Sequence, residues 1–218
     1  MNHQMNSEQD PHRLAQSTGS FAEQVAATTP TPGGGSVAAY CGQLAASLGI
    51  MMCNLTIGKP KYAAAEARVV AIKQELERLS REFRSLIDED AASFEAVLAA
   101  YKHPKETEQQ KDERKRLIQD ALQRAANTPY HTAERSVEAL SLLAELATSG
   151  NRNALSDVAT GAQLARAAAR GAGYNVLINL SSLADQDAAG AMRSGVSDLM
   201  ERADALAGQI EAPLISQT

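Results

Sequence analysis

Apolar positions recur at helical spacing along nearly the whole chain, and no stretch alternates as a strand would. From Ser36 to about Ile57 almost every residue is Ala, Val, Leu, Ile, Met, Gly or Cys. That run is long enough to span a bilayer, but Gln43, Ser47, Asn54 and the many alanines fit a buried central helix better. Ala38, Gly42, Ala45 and Gly49 would let neighbouring helices come close. Lys59-Pro60 ends the run. A second pattern runs from about Tyr62 to Tyr101: Val69, Ile72, Leu76, Leu79, Phe83 and Leu86 step by threes and fours, and the stripe resumes at Phe94, Val97 and Tyr101. One helix of that length extends roughly 60 Å at 1.5 Å per residue, which calls for a bundle or an oligomer seam.

A charged, lysine-rich turn, His103 to Lys115, leads into a helix expected to stop near Asn127, before Pro129. Further helices are expected from about Thr132 to Thr148, closed by Ser149-Gly150, and from about Asp157 to Leu183, with Asn175 and Asn179 one turn apart. A last amphipathic helix covers about Asp187 to Ile210. The expected fold is all-α: an elongated up-and-down helical bundle with one long helix, dimerising. The expected organisation is a polar, flexible segment over 1–20 and a single helical domain over 21–218.

Composition narrows this picture. Aromatics are only 4% of the 218 residues and Trp is absent, so Ala, Leu, Val and Ile must form the core, which suits closely packed helices. A net charge of −5 argues against nucleic acid or an anionic membrane as the main partner. Cys41 and Cys53 fall on one expected helix, where they cannot readily bridge. Reduced thiols in a cytoplasmic protein are the expectation, and the first residues lack the pattern of a signal peptide.

Four features carry candidate chemistry. Helical rotation from Leu79, Phe83, Leu86, Phe94 and Val97 puts Asp90 in the middle of the apolar stripe and Asp88 on nearly the opposite face. A carboxyl on a buried seam loses hydration, so its pKa rises toward the range useful for general acid or base work. A structural acid paired with a facing Arg or Asn is the alternative. Gly33-Gly34-Gly35-Ser36 opens a helix with free backbone N–H groups and without Cβ atoms, with Ser36 as the expected cap. It lacks the Gly-Lys-Ser/Thr ending of a nucleotide loop, and no strand precedes it. The polar turn Gly150-Asn151-Arg152-Asn153-Ala154-Leu155-Ser156-Asp157 invites capping by Asn153 or Ser156, which does not account for Arg152 and Asp157. Asn54 to Tyr62 sets Lys59 and Lys61 at a helix junction, where simple solvation is the bland reading. His131, Arg166 and Arg170 are weaker candidates, and no metal cluster or Ser-His-Asp order emerges.

Taken together, PTPGGGSVAAYCGQLAASL, NLTIGKPKY, LIDEDAASFEAVLAAYKHPK, GNRNALSD and NVLINLSSL resemble the cyclodeaminase family: the C-terminal domain of formiminotransferase-cyclodeaminase and its stand-alone bacterial relatives. The likeness runs from about Phe21 to Ala207, and the order of five motifs makes it specific. It implies an all-helical, dimeric, folate-dependent enzyme. Such an enzyme closes 5-formimino-tetrahydrofolate to 5,10-methenyl-tetrahydrofolate with loss of ammonia or, as the alternative, hydrolyses the methenyl form. A non-catalytic folate-binding or oligomerisation module is the alternative of another class. On this resemblance Asp90 is the proton donor or acceptor. Gly33, Gly34, Gly35 and Ser36 wall the folate pocket, and Asn54, Asn153 and Asp157 contact the pterin or the reacting nitrogens. Lys59, Lys61 and Arg152 hold a glutamate tail of several carboxylates. No metal is expected, and no cofactor beyond the tetrahydrofolate substrate, because no electrons move.

Overall fold

The structure is a computed structural model that describes residues 18–215. Among the described residues six α-helices follow one another: α1 (Thr18–Val25), α2 (Gly34–Thr56), α3 (Glu66–Tyr101), α4 (Glu108–Ser149), α5 (Leu155–Leu180) and α6 (Gln186–Ile215). Short 3-10 turns at Pro60–Ala65 and Arg152–Ala154 precede α3 and α5. No strand occurs among the described residues. Most of the expected segment 1–20 lies outside the described residues, and 18–20 open α1.

Neighbours in sequence run antiparallel, as the cross-helix pairs show. Arg68 of α3 reaches Glu145 of α4, and Arg114 of α4 reaches the Tyr101 carbonyl at the other end of α3. Between α5 and α6, Gln163 meets Glu211 while Arg166 and Arg170 both meet Asp204. Helices α2, α3, α4 and α5 close a four-helix ring, and α6 packs against α4 and α5. The all-α, up-and-down bundle expected from the hydrophobic spacing is therefore the fold.

The α2–α3 seam is a close contact with a regular cause. Gly35, Gly42 and Gly49 recur every seven residues on α2, and each faces a residue that recurs every seven on α3: Asp90, Phe83 and Leu76. A Cβ would lie 2.5 Å from the Asp90 carboxyl carbon at Gly35, 2.6 Å from Phe83 Cζ at Gly42 and 2.7 Å from Leu76 Cδ1 at Gly49. The missing side chains form a groove that takes a row of knobs from α3, and Phe83 and Leu76 are fully buried in it. Although α2 is long and apolar enough to cross a membrane, about half of it is buried against its neighbours.

Helix α1 has no counterpart in the sequence expectation, α6 runs on to Ile215, and three boundaries between them also differ. The long helix begins at Glu66 rather than near Tyr62, because Pro60 starts a 3-10 turn first. Helix α4 begins at Glu108, inside the expected turn, where Thr107 and Gln110 form a reciprocal capping box. Most consequential, α4 continues through Pro129 as one helix of 42 residues. A proline cannot donate to the carbonyl four residues back, which here is Ala125. The Asn179 side chain on α5 supplies the missing donor at 2.6 Å, so the helix survives.

Candidate active site

Asp90 sits at the third knob position of α3, where the row of seven-residue steps reaches the N-terminus of α2. It is half-buried, and its carboxylate lies against the bare Gly35 backbone. The Ser36 hydroxyl donates to Asp90 Oδ2 at 2.9 Å and shares the Ile87 carbonyl at 3.2 Å. Burial pushes the Asp90 carboxyl above the ordinary carboxylate range, and hydrogen bonds from the Ser36 hydroxyl and backbone N–H partly oppose this. The expected cap role of Ser36 is thereby corrected. Gly33 is the N-cap, and the Ser36 hydroxyl reaches across to α3 instead.

A cleft of about 230 Å³ opens in front of this carboxylate. Gly33, Gly34 and Gly35 form one wall with Pro30 and Thr31, and Asp90 and Val97 from α3 form another. Asn175 and Asn179 from α5 and Ala125 from α4 complete the floor, while Phe94 and Ile178 stand exposed at the rim. Gly34 touches this arrangement closely, since a Cβ there would lie 3.3 Å from Asn175 Nδ2. Of the residues singled out in the sequence, Gly33, Gly34, Gly35, Ser36 and Asp90 come together here.

Six others assemble elsewhere. Asn54, Lys59, Lys61, Arg152, Asn153 and Asp157 cluster where α2 ends and α5 begins, roughly 28 Å from Gly35 at 1.5 Å per helical residue. Asn151 organises that end. Its backbone N–H donates to Thr56 Oγ1 at 3.0 Å, its Nδ2 donates to the Leu55 carbonyl, and its Oδ1 accepts from the Asn153 N–H. Asn151, rather than Asn153 or Ser156, is therefore the capping residue of the turn. The Tyr62 hydroxyl reaches Asn151 and accepts from the Arg152 N–H, and Lys61 Nζ lies 5.5 Å from the centre of the Tyr62 ring. Lys59, Lys61 and Arg152 are exposed and form no ion pair among the described residues. Within one chain this basic end and the Asp90 cleft are separate.

Residues 17–198 match the family model described as Formiminotransferase-cyclodeaminase. The chain belongs to this family. It is 37% identical over 186 residues to a Methenyltetrahydrofolate cyclohydrolase of Methylorubrum extorquens, covering 85% of this chain and 89% of the relative. It is 34% identical to the Formimidoyltransferase-cyclodeaminase of Rattus norvegicus, with 88% of this chain matching 36% of that longer protein. The crystal structure of a formiminotetrahydrofolate cyclodeaminase from Thermotoga maritima superposes with a TM-score of 0.81 at 28% identity, covering 90% of this chain and 94% of the other.

For a member of the cyclodeaminase family, the cleft holds residues that the sequence reasoning did not assign to a site. Asn175 and Asn179 stood out only as neighbours on an apolar helix. Two amides one turn apart on a helix otherwise rich in alanine were the available signal. Phe94 belongs to the apolar stripe of α3, yet it is 39% exposed at the cleft mouth.

Proposed function

We propose that this chain is a folate-dependent one-carbon enzyme, a 5-formiminotetrahydrofolate cyclodeaminase that forms 5,10-methenyltetrahydrofolate and ammonia. The observation that carries the reading is Asp90, a partly buried acid held by Ser36 in a cleft walled by glycine backbone, apolar side chains and amides. In cyclisation the 10-nitrogen attacks the formimino carbon and gives a tetrahedral centre. The former imino nitrogen takes one proton from the 10-nitrogen and one from Asp90, its bond to carbon breaks, and ammonia leaves. The raised pKa of Asp90 favours the protonated form that this step needs.

A second reading is the methenyltetrahydrofolate cyclohydrolase, favoured by the relative of matching length that bears that name. There Asp90 takes the proton of a water attacking the cationic methenyl carbon, and its negative charge stabilises the bound cation. Incubation with 5-formimino-tetrahydrofolate and with 5,10-methenyl-tetrahydrofolate, followed by methenyl absorbance, separates the two. Appearance of absorbance supports the first, its decay supports the second, and binding without either change supports a non-catalytic module.

The proposal extends to a homodimer and a polyglutamylated substrate. Leu44 and Leu55 are exposed on α2, and with Leu48 and Met51 they form an apolar stripe along its outer face. A second copy docked there about a two-fold axis perpendicular to α2 would lay its α2 antiparallel, which brings its basic end beside this chain's Asp90 cleft. One chain's cleft is smaller than the roughly 300–1,000 Å³ of whole ligand sites, so part of a folate must bind beyond it. Lys59, Lys61 and Arg152 of a second copy would then meet the carboxylates of the glutamate tail. Asn54, Asn153 and Asp157 would approach the substrate from the same side. The proposal is completed by a cytoplasmic setting, which suits the free thiols of Cys41 and Cys53, and by no cofactor beyond the tetrahydrofolate substrate. Nucleic acid and membrane are not proposed as partners.

A further inference from the structure

The two floor asparagines have their orientation fixed by chemistry. Asn175 Nδ2 donates to the Gly171 carbonyl at 2.8 Å, and Asn179 Nδ2 donates to the Ala125 carbonyl at 2.6 Å. A backbone carbonyl only accepts, so each amide must turn its nitrogen toward it. No donor among the described residues reaches either Oδ1, and neither oxygen is buried without a partner. Both residues line the cleft. The floor therefore offers two hydrogen-bond acceptors one helical turn apart, roughly 6 Å along the axis. Asn175 lies level with Gly34 beside the carboxylate, and Asn179 lies a turn farther out.

We propose that Asn175 and Asn179 are substrate-binding residues that read the N8–H and 2-amino donors along one edge of a reduced pterin. Resting on the folate reading, this fixes the ring's register against Asp90 and makes the site selective for the ligand's redox state. In a tetrahydro- or 7,8-dihydropterin N8 carries a hydrogen and donates. In fully oxidised folic acid N8 is a bare acceptor, and it would face the Asn175 oxygen lone pair to lone pair. The 2-amino group is present in every oxidation state, so Asn179 contributes affinity without redox preference. Val97 and Ala125, which line the same cleft, supply apolar surface for the ring.

The test is calorimetric binding of 7,8-dihydrofolate and folic acid to the full chain, to Asn175→Leu and to Asn179→Leu, with melting curves confirming folding. The wild type should prefer dihydrofolate by roughly 3- to 10-fold, the size of one net hydrogen bond. Asn175→Leu should lose most of that preference, whereas Asn179→Leu should bind both ligands more weakly at an unchanged ratio. A preference that survives Asn175→Leu, or that disappears equally in both variants, overturns the proposal. Should Asn175→Leu not fold, Asn175→Ser must show the same loss of preference. Equal binding of the two folates by the wild type overturns this inference alone, while binding of neither overturns the folate reading with it.

Discussion

Asp90 occupies the space that a side chain on Gly35 would fill. The glycine run at the start of α2 thus makes room first for a protein carboxylate and only then for a ligand. Gly35 accommodates Asp90, while Gly34 stands close to Asn175 and lines the cleft. A carboxyl pressed against backbone loses water, and Ser36 offsets only part of that loss.

Gly35→Ala and Gly42→Ala should therefore diverge in activity despite similar crowding. Each forces a Cβ into a filled groove and should destabilise by about 1–3 kcal/mol, the usual range for overpacking. Gly35→Ala displaces Asp90 and should lower turnover by at least ~10², the lower range for a general acid. Gly42→Ala meets Phe83 and should leave turnover of the folded fraction within a few-fold. Melting curves alongside steady-state rates check both.

Asp90→Asn should lower turnover by at least ~10² while making the protein more stable at neutral pH. The sign follows from linkage. Because the folded-state pKa is raised, the folded protein holds a proton that the unfolded chain releases. Stability from this group is full below the ordinary carboxylate pKa and falls as pH climbs from there through the raised folded value. The gain from Asp90→Asn should appear across that window, persist above it and vanish in acid. Denaturant titrations at several pH values measure it, and near-normal turnover in the folded variant would remove Asp90 from the mechanism.

Pro129→Ala should strengthen α4 and weaken the site. The variant regains a donor for the Ala125 carbonyl, and a net gain of ~1 kcal/mol would raise Tm by roughly 2–4 °C in a chain of this size. The regained bond competes with Asn179, whose acceptor then loses its fixed aim. Tetrahydrofolate binding should loosen by roughly 3- to 10-fold, up to one net hydrogen bond. A lower Tm with unchanged affinity would show that Pro129 does not position Asn179.

Leu44→Glu places a charge on the exposed part of the α2 stripe and should give a monomer by light scattering, with activity lost in step with dimer. Lys59→Ala combined with Arg152→Ala should instead leave the dimer intact and raise KM. The increase should be larger for a triglutamyl than for a monoglutamyl substrate, because the longer tail brings more carboxylates. Equal increases for both tails would detach these residues from tail binding.

The all-helical bundle and the inward position of Asp90 were legible in the sequence because both follow from local periodicity, whereas the short α1 was not expected. The passage of α4 through Pro129 was not. Its compensating donor, Asn179, lies 50 residues away in sequence and on another helix. The capping box at Thr107 was readable in its residue types, but the lysines that follow concealed it. The separation of the two candidate clusters was also readable in principle. Gly35 and Asn54 lie near opposite ends of one helix, so no folding of a single chain could bring them together.

The seven-residue glycine row ties the carboxylate to packing far from it. Gly49 lies roughly 21 Å from Gly35 along α2 at 1.5 Å per residue, yet both sit on the same track of α3. The seam works as a rack: α2 can seat on α3 only where all three teeth engage, and the last tooth is Asp90. A slip of α2 by even one residue would strand all three glycines at once, so the register that seats Phe83 and Leu76 in the core is the same register that sets Asp90 against Ser36.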